Sequence, residues 1–159
     1  MQDIILAHLN QAVPFAGHAG VEILSLGDGE GVAQLAEAPH RLNHVGTHHA
    51  GALFTLAEAA SGAAMAGAFA SVLMSVRPLA ASAQIDYRKP ARGLITATAK
   101  SDTAPAELLA ALDDAGKVRF KVDVSLTNEH GEQVASMKVD WHVSGPRPTA
   151  SRLSSRRPA

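Results

Sequence analysis

Apolar and polar residues change rhythm along this chain, and each rhythm predicts a different element. Residues 50–69 carry only Thr55, Glu58 and Ser61 as polar side chains among Ala, Gly, Leu, Phe and Met. No proline interrupts them, and such a run of good helix formers predicts a helix. A helix that is apolar on nearly every side should be enclosed on nearly every side. Strict alternation takes over near the end of the chain. Val118, Phe120, Val122, Val124 and Leu126 alternate with Lys117, Arg119, Lys121, Asp123 and Ser125. After a turn at Asn128-Glu129-His130-Gly131, Ala135, Met137, Val139, Trp141 and Val143 alternate with Ser136, Lys138, Asp140 and His142. This pattern predicts an antiparallel pair with one face on a core and the other in water.

Weaker patterns fill the remainder. Residues 3–13 suggest a short helix with Asp3 as its N-cap, Ile5, Leu6, Leu9 and Val13 on a shared side, and Pro14 and Gly17 ending it. Two short strands, 21–26 and 32–37, flank a turn at Gly27-Asp28-Gly29-Glu30-Gly31. Residues 39–48 read as loop. Residues 81–89 read as a strand with Ala83, Ile85 and Tyr87 opposite Gln84, Asp86 and Arg88. Pro90 and Gly93 mark a turn, and 94–100 form a further strand with Ile95, Ala97 and Ala99 opposite Thr96 and Thr98. Residues 105–114 look like a short helix with proline at its start. The expected architecture is α+β: a strongly curved antiparallel sheet wrapped around one long helix, with short helices at its flanks. Residues 1–144 form one domain on this reading. Residues 145–159, where Arg152, Arg156 and Arg157 join Pro and Ser, are expected to be a disordered basic tail.

Composition narrows the chemistry. A chain of 159 residues is one ordinary domain, and a formal net charge of −1 argues against nucleic acid as the main partner. With no cysteine there is no disulfide, thiolate nucleophile or thiolate metal site. The N-terminus lacks the basic region of a secretory signal. Residues 50–69 approach membrane-spanning length, but they include Glu58 and are rich in Ala and Gly rather than Leu and Ile. A soluble, cytoplasmic protein with no membrane partner is expected.

Glu58 is the sole ionisable group in the apolar helix, so it is paired, protonated or put to use. Gly51 lies in the first turn, where backbone N–H groups lack partners and the helix dipole favours negative charge. The two are seven positions apart and share a face. They are also separated by roughly 10 Å along the axis, too far for both to act on one atom from a single helix. Two copies meeting antiparallel would bring Gly51 of one beside Glu58 of the other. The spacing therefore predicts a homodimer with shared sites.

The block Asn43-x-x-Gly46-x-x-His49-Ala50-Gly51, followed by an apolar helix with Glu58, resembles a motif of hotdog-fold thioesterases. The phenylacetate-pathway and 4-hydroxybenzoyl-CoA groups are the most similar. Ala50 stands where that motif has the first glycine after histidine, and the acid is Glu rather than Asp. Ile85-Asp86-Tyr87-Arg88-Lys89-Pro90-Ala91-x-Gly93 resembles the strand after their helix, and Gly131-Glu132-Gln133-Val134-Ala135 their final hairpin. The likeness spans about residues 20 to 144, and its specific part is the block from Asn43 to Glu58. The segment around 105–114 exceeds the minimal fold and resembles an uncharacterised branch of thioesterase-like proteins.

The resemblance implies a hotdog fold and an acyl-CoA thioesterase without a cofactor, assembled as a dimer or a dimer of dimers. It assigns the oxyanion to the Gly51 N–H, and makes Glu58 a base on water or a nucleophile forming an anhydride. Asn43 would position water or the partner's carboxylate, or shape the turn. His49 would bond the thioester carbonyl or brace the loop. Thr55 would bond the nucleophile or substrate, or a carbonyl of its own helix. Gly46, Ala50, Tyr87 and Arg88 fall at substrate-binding positions, and Arg41, Lys89 and Arg92 join Arg88 as candidates for coenzyme A phosphates. Two other readings stay open: a non-catalytic acyl-CoA-binding hotdog, in which Ala50 marks lost catalysis, and a hydroxyacyl dehydratase. His44, His48 and His49 are closely spaced, yet no acidic residue sits among them, and no metal site is expected.

Overall fold

A computed structural model describes residues 1–146. Its elements are α1 (Gln2–Ala12), α2 (Pro14–Ala19), β1 (Glu22–Gly27), β2 (Glu30–Leu35), α3 (Ala50–Ala68), β3 (Arg77–Tyr87), β4 (Ile95–Ser101), α4 (Pro105–Ala115), β5 (Lys117–Thr127) and β6 (Gln133–Ser144). Short 3-10 turns occupy Pro39–Arg41 and Leu73–Ser75. The strands form one antiparallel sheet in the order β1-β2-β4-β5-β6-β3. Register shifts between Ile23 and Ser25, Ala80 and Ser82, and Leu126 and Thr127 bend the strands and help the sheet curl. This is the expected hotdog architecture, with α3 lying in the curl.

The core consists of the inward residues of alternating strands packed on α3. Val122, Val124 and Leu126 of β5 and Val134, Met137, Val139 and Val143 of β6 are buried, as are Ile95, Ala97 and Ala99 of β4. On α3 the buried positions run from Leu53 to Ala68 around most of the helix. Small residues let the backbones approach closely. A Cβ on Gly31 of β2 would lie 2.6 Å from both the Ala60 carbonyl oxygen and the Ala64 nitrogen of α3. One on Gly67 would lie 2.7 Å from the Gly27 nitrogen. The β1–β2 turn takes positive φ at Asp28 (51°) and Gly29 (77°), the geometry of a two-residue hairpin loop.

Several sequence expectations need correction. The first helix starts at Gln2 with Met1 in the cap position, so Asp3 sits in its first turn. The first helix ends at Ala12, just before Pro14 as expected, but Pro14 also opens α2, and Gly17 lies inside that helix. Proline is favoured at a first helical position, where its missing N–H would have had no partner, and Gly20 (φ 88°) caps the other end. The strand expected at 81–89 runs from Arg77 to Tyr87, and nearly all of it is exposed on both faces. It is one of the sheet's two edge strands, paired on one side to β6, with Ile85 resting against the core and Tyr87 reaching the start of α3. The first turn of α3 is likewise open: Ala50, Gly51 and Phe54 are exposed where the sheet does not reach. The basic tail expected at 145–159 lies, from residue 147 on, outside the described residues. Among the described residues, no helix is long and apolar enough to cross a membrane.

Candidate active site

The loop leading into α3 is organised by Asn43. Its Oδ1 accepts from the Val45 and Thr47 amides, each at 3.1 Å, and its Nδ2 donates to Thr47 Oγ1 at 2.8 Å. The Asn43 amide donates to the Thr47 carbonyl, and its own carbonyl receives the Gly46 amide. Gly46 makes this closure with φ 76°, a conformation that disfavours a side chain. Asn43 thus serves the loop itself, the turn-shaping alternative of the two the sequence left open.

His48 is a residue the sequence reading weighed only as a metal ligand. It is buried, with Nε2 2.7 Å from the Gly93 carbonyl oxygen and its amide on the Ala91 carbonyl. A carbonyl can only accept, so Nε2 carries the proton, and the buried Nδ1 has no partner among the described residues. His48 ties the loop to the segment after β3. Within the loop, His48 also forms an isolated antiparallel bridge with Leu42. Among the described residues, no group of three His, Cys, Asp or Glu side chains could hold a metal ion.

His49 caps α3. Its backbone is extended (φ −62°, ψ 141°) and its Nδ1 accepts the Gly51 N–H at 2.9 Å, while its carbonyl takes the amides of Ala52 and Leu53. Within the single chain, the His49 ring thus braces the start of α3. The same bond alters the expectation for Gly51, whose N–H is committed to His49 rather than free. In the first turn, the amide without a partner among the described residues is that of Ala50. The Ala50 carbonyl accepts from the Tyr87 hydroxyl at 2.9 Å, which anchors the helix start to the end of β3. Partial burial raises the Tyr87 pKa, keeping it a donor. Thr55 donates to the Gly51 carbonyl at 2.8 Å, the helix-internal alternative.

Asn43, Thr47, His48, Ala50, Leu53, Tyr87, Arg88 and Lys89 surround a depression of about 310 Å³. Arg88 reaches Ser136 Oγ at 2.9 Å and Lys89 pairs with Glu132 at 2.7 Å, both at the surface. Arg41 and Arg92 do not join this rim. Arg41 holds the Ala19 and Ala36 carbonyls, and Arg92 the Gly46 carbonyl, so both knit loops together.

Glu58 stands apart, two turns along α3. It lines a separate cavity of about 190 Å³ with Leu9, Val13, Ile23, Ala63 and Trp141. No ion pair or hydrogen bond to its carboxylate occurs among the described residues, and burial raises its pKa above the ordinary 4.5. Behind it, the buried Ser61 hydroxyl donates to the Glu58 carbonyl and accepts from Trp141 Nε1. A single chain therefore gathers the loop residues at one end of α3 and leaves Glu58 in another cavity. A wide depression of about 840 Å³ on the polar face of the sheet is lined by strand charges such as Lys138, Asp123 and Asp140 that pair across strands. It reads as a solvated surface.

A family model described as a domain of unknown function, DUF4442, matches residues 2–143. The chain belongs to that family. Solved structures place the family's fold. A protein of Pseudomonas aeruginosa described as a probable thioesterase is 27% identical, with a TM-score of 0.79 over 90% of this chain and 95% of its own. The PaaI protein of the Escherichia coli phenylacetic acid degradation operon is 24% identical, with a TM-score of 0.69 over 90% and 94%. A hypothetical thioesterase of Streptococcus pneumoniae, solved with coenzyme A, is 21% identical, with a TM-score of 0.66 over 90% and 99%. The chain is thus a hotdog protein of the thioesterase-like superfamily. No curated protein matches it significantly.

Proposed function

We propose that this chain is an acyl-CoA thioesterase acting as a homodimer with shared sites. The observation that carries the reading is on α3: a half-buried carboxylate that, among the described residues, has no partner, on a helix whose first amide likewise has none among them. Thioester hydrolysis needs both a base or nucleophile and an oxyanion donor. Glu58 supplies the first. Ala50, rather than Gly51, supplies the second, because its N–H is the one His49 leaves free. The two are eight positions apart, roughly 12 Å along one helix, so a site draws Ala50 from one copy and Glu58 from the other. Water attacks the thioester carbonyl as Glu58 takes its proton, or Glu58 attacks directly and water then opens the anhydride. The carbon–sulfur bond breaks and the coenzyme A sulfur leaves with a proton. Coenzyme A bound to the Streptococcus pneumoniae neighbour, and the thioesterase descriptions of several neighbours, support this class of substrate. The family match over residues 2–143 supports a single domain ending near residue 144.

Ala50 also gives weight to a second reading, a binding protein without turnover, since a methyl group crowds the amide that must meet the oxyanion. Release of thiol from a panel of short, medium, long and aryl acyl-CoAs decides between the two. Glu58→Gln should cut turnover by about 10²–10⁴-fold. Full activity in that variant would sink the proposed mechanism. Tight binding of the panel with no thiol released by wild type would establish the binding protein.

A further inference from the structure

The cavity beside Glu58 is built by parts of the chain that the loop site does not use. Helix α1 contributes Leu9, the junction between helices contributes Val13, and α2 contributes Ala16. They close over Ile23 of β1, Ala63 of α3 and Trp141 of β6. Besides Glu58, the wall's polar groups are Asn10, both ends of whose amide are taken by the Ile23 backbone at 3.0 and 2.9 Å, and the Trp141 N–H, which donates to Ser61. Glu58 is therefore the single polar side chain on the wall free to meet a ligand. The cavity measures about 190 Å³. For scale, an apolar cavity of about 150 Å³ accommodates six carbons as benzene.

We propose that this cavity, roofed by α1 and α2, is the acyl-tail pocket, and that it accepts a wholly apolar acyl group of about six to eight carbons with its carbonyl at Glu58. The proposal rests on Glu58 being the reacting group. The apolar wall sets specificity by exclusion. A hydroxyl or carboxyl on the tail would lose its water and find no partner, so hydroxylated and dicarboxylic acyl groups are rejected. Length is limited by the roof, because each methylene beyond the filled volume must displace α1 or α2 or stay in water.

Calorimetric titration of the full chain with S-alkyl-CoA thioethers tests this without turnover, since a thioether cannot be hydrolysed. Affinity should rise about 3–4-fold per methylene up to about eight carbons and then stop rising. An ω-hydroxyoctyl thioether should bind at least about 10-fold more weakly than octyl. Ala16→Leu, which adds three carbons to the wall, should move the length limit down by about three, and Val13→Ala should move it up. Val13 is exposed enough, at 43%, for its truncation to leave the fold intact even if the larger Leu does not fit. A length profile unchanged in both folded variants, or one that keeps rising to dodecyl, overturns the pocket. Thiol release from acyl-CoAs alongside such a flat result leaves the hydrolase reading standing. Length-limited binding with no release from the matching thioester does the reverse.

Discussion

Burial among Leu, Val and Ala side chains disfavours the ionised form of Glu58, and no donor or cation among the described residues offsets it. A folded pKa raised above the unfolded value means the native state binds this proton more tightly. Stability from this group is fully present below about pH 4.5 and is lost as pH rises through the raised folded value. Glu58→Gln should therefore raise the melting temperature at neutral pH, with the gain shrinking toward zero as pH falls to the ordinary glutamate range. Thermal melts of the two proteins across that range check it. The rate should show an acid limb above the usual carboxylate region, since the working form is the carboxylate, and a pH profile of kcat would display it. At the other end of α3, His49→Ala removes a cap and should cost about 1 kcal/mol, about 2–4 °C in melting temperature. The residue types of this site were legible in the sequence, because a lone carboxylate in an apolar helix and a polar loop before it are one-dimensional facts. Which amide is free was not. It depends on the rotamer of His49, whose ring takes the Gly51 N–H and leaves that of Ala50.

Elements differ in how plainly they announce themselves, and the reason is what covers them. Strands β4, β5 and β6 have one face on α3 and one in water, so burial imprints a clean alternation. Strand β3 is exposed along most of both faces, with Ile85 resting against the core, so the alternation of Ala83, Ile85 and Tyr87 with Gln84, Asp86 and Arg88 does not mark a buried side. Pro14 marks the end of α1 and also opens α2, and the second role is plain only once α2 is seen, because proline both ends and begins helices. Glycines within strands carry packing information that hydrophobic periodicity overlooks. Gly31 lets the β2 backbone rest against the α3 backbone, where the neighbouring atoms are main chain and cannot swing away. Gly31→Ala should destabilise the protein by about 1–3 kcal/mol, measurable as a lower denaturant midpoint with an unchanged slope. An unshifted midpoint would show that β2 and α3 separate more easily than their contact implies.

At the scale of the molecule, the end of β3 meets the start of α3 through Tyr87 and Ala50, and both residues are exposed. The unpaired edge of β3, the exposed start of α3 and the exposed side chains of Met74 (86%) and Leu79 (69%) are among the surfaces left uncovered within the described residues. Edge strands and apolar side chains of this kind are managed in stable proteins by a partner. A second copy would also resolve the separation of Ala50 from Glu58, since an antiparallel pair of α3 helices sets each beside the other's counterpart. Two variants make this testable. Ala50 occupies the first helical position, preceded by an extended His49, so Ala50→Pro deletes the proposed donor where proline suits the helix. It should lower kcat by about 10²–10³-fold with little change in melting temperature. Neither Ala50→Pro nor Glu58→Gln alone should turn over appreciably, but unfolding and refolding them together yields mixed dimers. In those, one of the two shared sites combines an intact Ala50 with an intact Glu58. An equal mixture should then recover about a quarter of wild-type activity, from half the dimers being mixed and half their sites intact. If both groups instead act within one chain, every site in the mixture keeps a defect and nothing is recovered. Recovery near a quarter would thus locate the reacting groups on opposite sides of a dimer interface.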